Sequence, residues 1–315
     1  MKSILKKLVI FCLAALVFTG LLTSCGKTPE STAAASTAVI TDQLGRTVTL
    51  TTTNPQHIIS LAPSNTEILF ALGLGDRIIG VTDFDNYPPE AKNKPSIGGY
   101  TNPNIEKIIA SEPDLILGTE AQSVDIYQQL ESKGLTVVAL SPQTLDDVLA
   151  SITLVGKITG KVKEAAKLTA DMQKRITAVT NKTAKLSTDM KPRVFYIIWN
   201  DPLMTAGAGT FIDELINKAG GTNIAGDQKS YPTISLENVL TANPQVIIAG
   251  SGMGEGEDLP YKYATTEPRL QGTDARQNNR VYSINTDIIG RPGPRIIDAL
   301  EGFLADIHPE LRDQP

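Results

Sequence analysis

Cysteine, histidine and tryptophan are scarce in this chain of 315 residues, which holds two cysteines, two histidines and one tryptophan. Cys12 lies inside an apolar N-terminal run, and Cys25 follows the end of that run. The long remainder therefore has no internal disulfide, thiol nucleophile or thiolate metal site, so its stability must come from a hydrophobic core. His57 and His308 are far apart in sequence, and two histidines cannot supply the His and carboxylate cluster of a zinc receptor.

Recognisable catalytic motifs are also absent. The sequence contains no G-x-S-x-G, P-loop or H-E-x-x-H pattern. Gly250–Gly256 is rich in glycine, but Glu255 stands where the third glycine of a dinucleotide-binding loop belongs, so we expect a surface loop there. We therefore predict a binding protein that is not an enzyme and has no catalytic residue, protein-bound metal or resident cofactor.

Basic residues are fewer than acidic ones, with 29 lysines and arginines against 34 aspartates and glutamates and a formal net charge of −5. Three of the lysines fall in the first seven residues, which leaves 26 basic residues against the same 34 acidic ones in the remainder. A body this acidic repels phosphate backbones, so we expect no nucleic-acid partner.

The N-terminal segment predicts export and anchoring. Its early lysines precede the apolar run Leu8–Leu22, which is too short and too early for a membrane span. Leu22-Thr23-Ser24-Cys25 resembles a bacterial lipobox, although an ordinary signal peptide could also hold a cysteine there. We predict a lipoprotein signal peptide over 1–24, a lipid on Cys25, and a flexible tether of small polar residues over 25–40. The protein is then extracytoplasmic and membrane-anchored.

Beyond the tether, apolar β-rich runs alternate with helical patterns, as is typical of parallel sheets covered by helices. Helix, x-Pro break and buried strand occur in this order in Ile105–Gly118 and again in Leu236–Ala249. This partial repeat predicts two related α/β lobes, 41–160 and 191–315. We expect the strands to lie at Ile58–Leu61, Ile78–Val81, Leu115–Leu117, Val137–Leu140, Val194–Ile198, Val246–Ala249 and Val281–Ile284.

A long helical pattern separates the two lobes. Weakly apolar residues recur at steps of three and four from Val162 to Leu186, which predicts one helix within 161–190. The Ala and Thr positions in this stripe are poor knobs for a coiled coil, so we favour a helix laid along the backs of both lobes. Such a helix makes a stiff bilobal body with a ligand cleft between the lobes, and we expect it to be a monomer.

The segment Ile58–Gly73 predicts the first strand, turn and helix of the N-terminal lobe. Ser64 and Glu67 have the S-x-x-E spacing of a capping box, in which each side chain satisfies a free backbone N–H. On these residues alone, Glu67 is a helix cap, a ligand contact or a contact for a partner protein.

Aromatic and polar residues stand near predicted strand ends, where ligands of open α/β sheets bind. Trp199 follows a strand directly, where burial on a regular face is not expected. Arg291 lies in a Gly-Pro turn that would fix its guanidinium, whereas Arg295 is expected to start the last helix and face solvent. The candidate ligand contacts are Phe84, Tyr100, Trp199, Tyr231, Asp287 and Arg291.

Several of these segments together resemble the substrate-binding lipoproteins of ABC importers for cobalamin, haem and ferric siderophores, and most closely the vitamin B12-binding branch. The segments that carry the resemblance are Ser60–Thr82, Tyr87–Glu90, Gly98–Gly118, Thr210–Ile224 and Gly293–Leu300. The resemblance covers nearly the whole mature chain. It implies a class III periplasmic-binding-protein-like fold, with two parallel-sheet lobes joined by a single long rigid helix.

The resemblance also implies a membrane permease as partner, contacted by one glutamate from each lobe. Glu67 occupies this position in the first lobe. The usual glutamate of the second lobe is Asn217 here, and Glu214, one helical turn earlier, aligns with Glu67 in the internal repeat. We therefore expect Glu67 and Glu214 to dock into arginine pockets of the permease.

For the ligand, the resemblance implies a corrinoid that lies flat against aromatic rings. Phe84 and Tyr100 match aromatic positions of the B12-binding branch, and Asp287 and Arg291 match its polar contacts. The same role for haem or a ferric siderophore is the alternative, since Tyr100 or Tyr231 could ligate iron. A more remote alternative is an extracytoplasmic chelatase-like enzyme, which would need a titratable His or Glu pair in the cleft.

Overall fold

The computed structural model describes residues 38–252 and 258–312. The predicted signal peptide, Cys25 and most of the predicted tether lie outside these residues. Within them the chain forms two α/β lobes, each with a four-stranded parallel sheet covered by helices. This arrangement confirms the predicted fold class. No helix in the two described ranges combines the length and apolar character that a membrane crossing requires.

The N-terminal lobe is built on strands that are almost entirely buried. Its sheet has the order β4-β3-β5-β6, and every neighbouring pair is parallel. Because both faces are covered, these strands appear in the sequence as continuous apolar runs. The strands are β3 (Ile58–Ser60), β4 (Ile78–Gly80), β5 (Leu115–Thr119) and β6 (Val137–Leu140), and the helices are α1 (Pro63–Ala71), α2 (Ile105–Ala110), α3 (Val124–Glu131) and α4 (Leu145–Ile158), with 3-10 turns at Gly75–Arg77 and Pro89–Asn93.

A β-hairpin precedes this sheet and corrects the predicted extent of the tether. Strand β1 (Ala38–Thr41) pairs antiparallel with β2 (Thr47–Leu50), so the last three residues of the range predicted as tether belong to a strand. The Asp42 carboxylate fixes the connecting turn, because it accepts hydrogen bonds from the backbone N–H of Arg46 at 2.9 Å and of Ala139 at 3.1 Å. These bonds attach the hairpin to β6.

The C-terminal lobe repeats the same plan. Its sheet has the order β10-β7-β11-β12, again with all neighbours parallel. The strands are β7 (Arg193–Ile197), β10 (Thr222–Asn223), β11 (Val246–Ser251) and β12 (Val281–Asn285), with a small antiparallel pair of β8 (Trp199–Asn200) and β9 (Leu203–Met204). The helices are α6 (Phe211–Lys218), α7 (Leu236–Ala242), α8 (Leu259–Thr266), α9 (Asp274–Gln277), α10 (Thr286–Ile289) and α11 (Ile296–Ile307), with 3-10 turns at Pro268–Gly272 and Pro309–Leu311.

One long helix, α5 (Val162–Thr183), links the lobes and confirms the predicted strut. Its 22 residues span about 33 Å at 1.5 Å per residue. Its buried face packs on α4 of the first lobe and on α11 of the second, where Arg175 forms ion pairs with Asp298 and Glu301. The helix ends earlier than the predicted range, and a 3-10 turn at Thr188–Met190 leads into β7.

The hydrophobic core is continuous across the lobes. One cluster of buried side chains includes Leu117 of β5, Ile176 of α5 and Ile248 of β11. Each lobe has a second cluster on the opposite face of its sheet, around Ile116 and around Ile247. Successive strand residues thus pack on opposite faces, as the two-residue period of a strand requires.

The contact between α4 and α5 leaves no room for a side chain at Gly156. A Cβ atom there would lie 2.3 Å from the Cβ of Ala165 and 3.0 Å from the carbonyl oxygen of Lys161. We expect Gly156→Ala to lower the free energy of unfolding by about 2 kcal/mol, because overpacking forces the two helices apart. The matched control is Gly302→Ala in α11, where a Cβ would meet nothing within 4 Å. Chemical denaturation measures both variants and should show that Gly302→Ala is neutral or stabilising, by up to about 1 kcal/mol. Equal destabilisation by both variants would contradict the packing argument.

Candidate functional site

A concave site of about 800 Å³ lies between the two lobes. It lies at the carboxyl ends of the parallel strands, where short segments of both lobes face each other. Most of the surface is apolar or aromatic, as in sites for small organic ligands. Among the lining residues, only Glu120 and Arg291 carry a charge.

Two aromatic side chains face the cavity from opposite lobes. Phe84 of the N-terminal lobe is 60% exposed and Tyr231 of the C-terminal lobe is 52% exposed, although large apolar groups are normally covered. Tyr100 lies deeper, with its hydroxyl 3.3 Å from the Thr119 hydroxyl. The structure thus brings three of the predicted ligand contacts into one cavity, with their rings free of mutual stacking.

Trp199 does not line this cavity, which corrects its predicted place among the ligand contacts. Its indole N–H donates a hydrogen bond to the carbonyl oxygen of Asp201 at 2.9 Å. Its neighbour Ile198 and its pairing partner Met204 do line the cavity. The cavity wall at this strand exit is therefore made by Ile198 and Met204.

Asp287 and Arg291 join the lobes at one edge of the cavity. The Arg291 guanidinium donates hydrogen bonds to the Asn86 side-chain oxygen at 2.5 Å and to the Phe84 carbonyl oxygen at 3.2 Å. It also forms an ion pair with Asp287 at 2.8 Å, and Asn86 donates to Asp287 at 2.9 Å. Arg291 lines the cavity, whereas Asp287 does not. Asn86 was not among the predicted contacts, and its only signal in the sequence is its place next to the Tyr-Pro-Pro segment.

The predicted capping box at Ser64 and Glu67 is wrong. Helix α1 begins at Pro63 with Ala62 at its N-cap, and no side chain caps it. Proline is favoured at the first helical position because it lacks the N–H that would be unpaired there. Ser64 is therefore the second helical residue and Glu67 the fifth, too far inside the helix to satisfy its free N–H groups.

Glu67 instead forms an ion pair with Arg295 of the other lobe, which corrects the prediction that Arg295 faces solvent. Arg295 Nε lies 2.9 Å from one carboxylate oxygen and Nη2 lies 2.5 Å from the other. Arg291 is 3.6 Å away, and the Tyr87 ring packs 3.9 Å from the Arg295 guanidinium. The Glu67 side chain is only 1% exposed. In this arrangement it cannot serve as the exposed docking residue that we expected.

The electrostatic state of Glu67 depends on opposing effects. Burial raises the pKa of its carboxyl above the ordinary value of 4.5, while the hydrogen bond and charge of Arg295 and the charge of Arg291 oppose this rise. The bidentate contact is the geometry in which a guanidinium binds a carboxylate best.

Glu214, the second predicted docking residue, also contacts the opposite lobe. It lies on α6, and its carboxylate accepts a hydrogen bond from the backbone N–H of Leu145 at 2.9 Å. Leu145 is the first residue of α4 in the N-terminal lobe. Lys218 lies 3.5 Å from the same carboxylate, which remains partly exposed. Asn217, by contrast, is exposed.

Burial also affects two tyrosines of the cavity. It raises the pKa of Tyr100 and that of Tyr231 above the ordinary value of 10. Among the described residues, no group of three or more His, Cys, Asp or Glu side chains is placed to hold a metal ion.

Comparison with known proteins agrees with the two-lobe architecture and the interlobe cavity. A model described as periplasmic binding protein matches residues 58–288. The chain is 33% identical over 261 residues to YvrC of Bacillus subtilis (strain 168), an uncharacterised ABC transporter substrate-binding lipoprotein, and covers 81% of each chain. It is 31% identical over 249 residues to a vitamin B12-binding protein of Vibrio cholerae, which covers 78% of this chain and 87% of that one.

A solved structure supports the same conclusion. The apo form of RhuT, a periplasmic haem-binding protein of Roseiflexus sp. RS-1, superposes with a TM-score of 0.71 at 26% identity. The similarity covers 81% of this chain and 99% of that one. The matched family model spans most of the described residues and both sheets. The chain therefore belongs to the periplasmic binding protein family.

Proposed function

We propose that this protein is a lipid-anchored, extracytoplasmic receptor that captures a corrinoid in the interlobe cavity and delivers it to the permease of an ABC importer. The observation that carries the proposal is the cavity itself, which is large, aromatic and nearly free of unpaired charge. A corrinoid offers a broad ring with neutral amide side chains. Such a ligand gains from apolar contact and needs no counter-charge.

Similarity to vitamin B12-binding proteins supports a corrinoid as the ligand. Similarity to YvrC, which is described as a lipoprotein, supports the predicted lipid anchor at Cys25. In this proposal Phe84, Tyr100 and Tyr231 contact the ring, and Arg291 borders it. Glu120 is the remaining charged group at the cavity wall. It suits an amide N–H of the ligand better than an anion.

Haem is the second candidate, because Tyr100 lies in the cavity and a haem-binding protein has the same fold. Haem carries two carboxylates, and Arg291, the only cation of the lining, already pairs with Asp287. A ferric siderophore without net charge fits the lining better than haem does.

The chelatase-like alternative lacks support from the cavity. Neither histidine belongs to the lining, and Glu120 is the only acidic side chain in it. A proton-transfer pair of the kind that such chemistry needs is therefore not assembled among these residues.

Calorimetry with defined ligands tests the proposal. Purified protein is titrated with cyanocobalamin, dicyanocobinamide and haemin, and haemin absorbance is recorded in parallel. We expect at least one corrinoid to bind with a dissociation constant in the micromolar range or below, which is about −8 kcal/mol or more favourable. We also expect no shift of the haemin Soret band. Corrinoid affinity no better than millimolar would contradict the proposal, and a Soret shift that Tyr100→Phe abolishes would support haem instead.

A further inference from the structure

Glu67 and Glu214 hold equivalent positions in the two lobes. In Thr66–Gly73 and Asp213–Gly220, the glutamate is the second residue and a glycine ends the segment. Each glycine follows its helix with a positive φ, +71° and +81° respectively. Both glutamates thus lie on the same side of corresponding helices, α1 and α6.

Each glutamate reaches the start of a helix in the other lobe. Glu67 binds Arg295, the N-cap residue of α11, and Glu214 binds the N–H of Leu145, the first residue of α4. The amino end of a helix carries free N–H groups and partial positive charge, so both sites favour a carboxylate. The two contacts are therefore reciprocal, because each lobe supplies one carboxylate and one helix start.

We propose that Glu67 and Glu214 are two clasps that hold the lobes together at two boundaries of the cavity and set the distance between the lobes. The Glu67 clasp is buried, and Arg291 next to it continues into the contacts with Asn86 and Phe84 at the cavity edge. The Glu214 clasp closes a second boundary of the same cavity, beside Gln143 and Phe211. Moving the lobes further apart requires both carboxylates to leave their partners.

This inference deepens the proposed function, because any permease contact made by Glu67 or Glu214 would first have to release a clasp. The charged contacts lie at the edges of the cavity and add to the apolar contacts that the shared core makes between the lobes. Charge-assisted hydrogen bonds can be exchanged for contacts with water or with a partner's guanidinium at low net cost.

The test measures the interlobe distance without ligand or permease. Spin labels are placed at Gln128→Cys on α3 and Glu237→Cys on α7, both exposed, in the full chain with Cys12 and Cys25 replaced by serine. Double electron–electron resonance then compares wild type, Glu67→Gln, Glu214→Gln and the double variant. The matched control changes one exposed acid in each lobe, Glu106→Gln with Asp227→Asn.

We expect each single variant to broaden the distance distribution and the double variant to shift its maximum outward by several ångströms. The control pair should reproduce the wild-type distribution. A double variant that keeps the wild-type distribution would overturn the clasp proposal and leave the proposed function untouched, since no ligand is used. If Glu67→Gln does not fold, Arg295→Lys is used in its place, because lysine keeps the charge but loses the bidentate geometry. This variant should give a distance distribution between those of wild type and the double variant. A distribution identical to that of wild type would again contradict the proposal.

Discussion

Replacement of Arg295 by methionine is expected to lower the free energy of unfolding by about 3 kcal/mol at pH 8. The change leaves the Glu67 carboxylate buried without its bidentate partner, and losing one member of a buried pair typically costs this much. Arg291, at 3.6 Å, remains as partial compensation. Methionine keeps most of the length and the apolar stem of arginine, so the loss reports charge and hydrogen bonding more than packing. Urea denaturation at several pH values measures the effect.

The pH dependence of this variant identifies Glu67 as the cause. In the native protein the pKa of Glu67 is already raised above 4.5 by burial. The hydrogen bond and the positive charge of Arg295 both lower this pKa, and both are lost in the variant. A carboxyl whose pKa is higher in the folded state binds its proton more tightly there. The contribution of Glu67 to the free energy of unfolding is then fully present below pH 4.5 and is lost as the pH rises through the folded-state pKa. The deficit of Arg295→Met should therefore be smaller at pH 5 than at pH 8.

Two controls separate this interpretation from a general loss of surface charge. Arg175→Met removes a partly exposed guanidinium that pairs with Asp298 and Glu301, and we expect it to cost about 1 kcal/mol or less. The double variant Glu67→Gln with Arg295→Met removes both buried charges and should recover most of the stability. Equal losses from Arg295→Met and Arg175→Met, without pH dependence, would refute the importance of the buried pair.

Much of the architecture could be predicted because it depends on local pattern. The buried strands appear as apolar runs, and the stripe from Val162 onward has the period of a helix. These signals are repeated over many residues, so an error at one position changes only a boundary. The predicted strands have limits that differ from the structure by at most two residues, and larger differences occur at the end of α5 and where β1 replaces the end of the predicted tether.

The contacts of the site were harder to predict because they join distant parts of the chain. Glu67 and Arg295 are 228 positions apart, and nothing local to either residue indicates the other. The S-x-x-E spacing was misleading because its meaning depends on where the helix begins, and Pro63 starts α1 before Ser64. Trp199 was misplaced because the two residues of β8 are too few for a local pattern to show which side chain reaches the cavity.

Charged and aromatic side chains have different roles around the cavity. Contacts between the lobes use the charges of Arg291, Arg295 and the two glutamates. The cavity wall consists mainly of aromatic and aliphatic side chains. Contact between the lobes and contact with the ligand therefore depend on largely separate side chains, and Arg291 is the one that takes part in both. Variants of the exposed rings should change affinity without changing closure or stability.

Replacement of Phe84 or Tyr231 by alanine is expected to weaken corrinoid binding by about 30-fold each, measured by calorimetry with cyanocobalamin. Each ring is a large exposed anchor, and removing such an anchor from a binding site costs about 2 kcal/mol. Because the rings stand on opposite lobes, their effects should be nearly additive, and the double variant should lose about a thousandfold in affinity. Phe84→Tyr keeps the ring and should bind almost normally.

The same variants should scarcely change stability, because both side chains already face water in the free protein. We expect their unfolding free energies to stay within about 0.5 kcal/mol of wild type. Val124→Ala is the matched control, since Val124 is equally exposed but lies outside the cavity, and it should alter neither property. Wild-type affinity in the double variant would show that the ligand does not rest against these rings, and the cavity between the lobes would then need a different occupant.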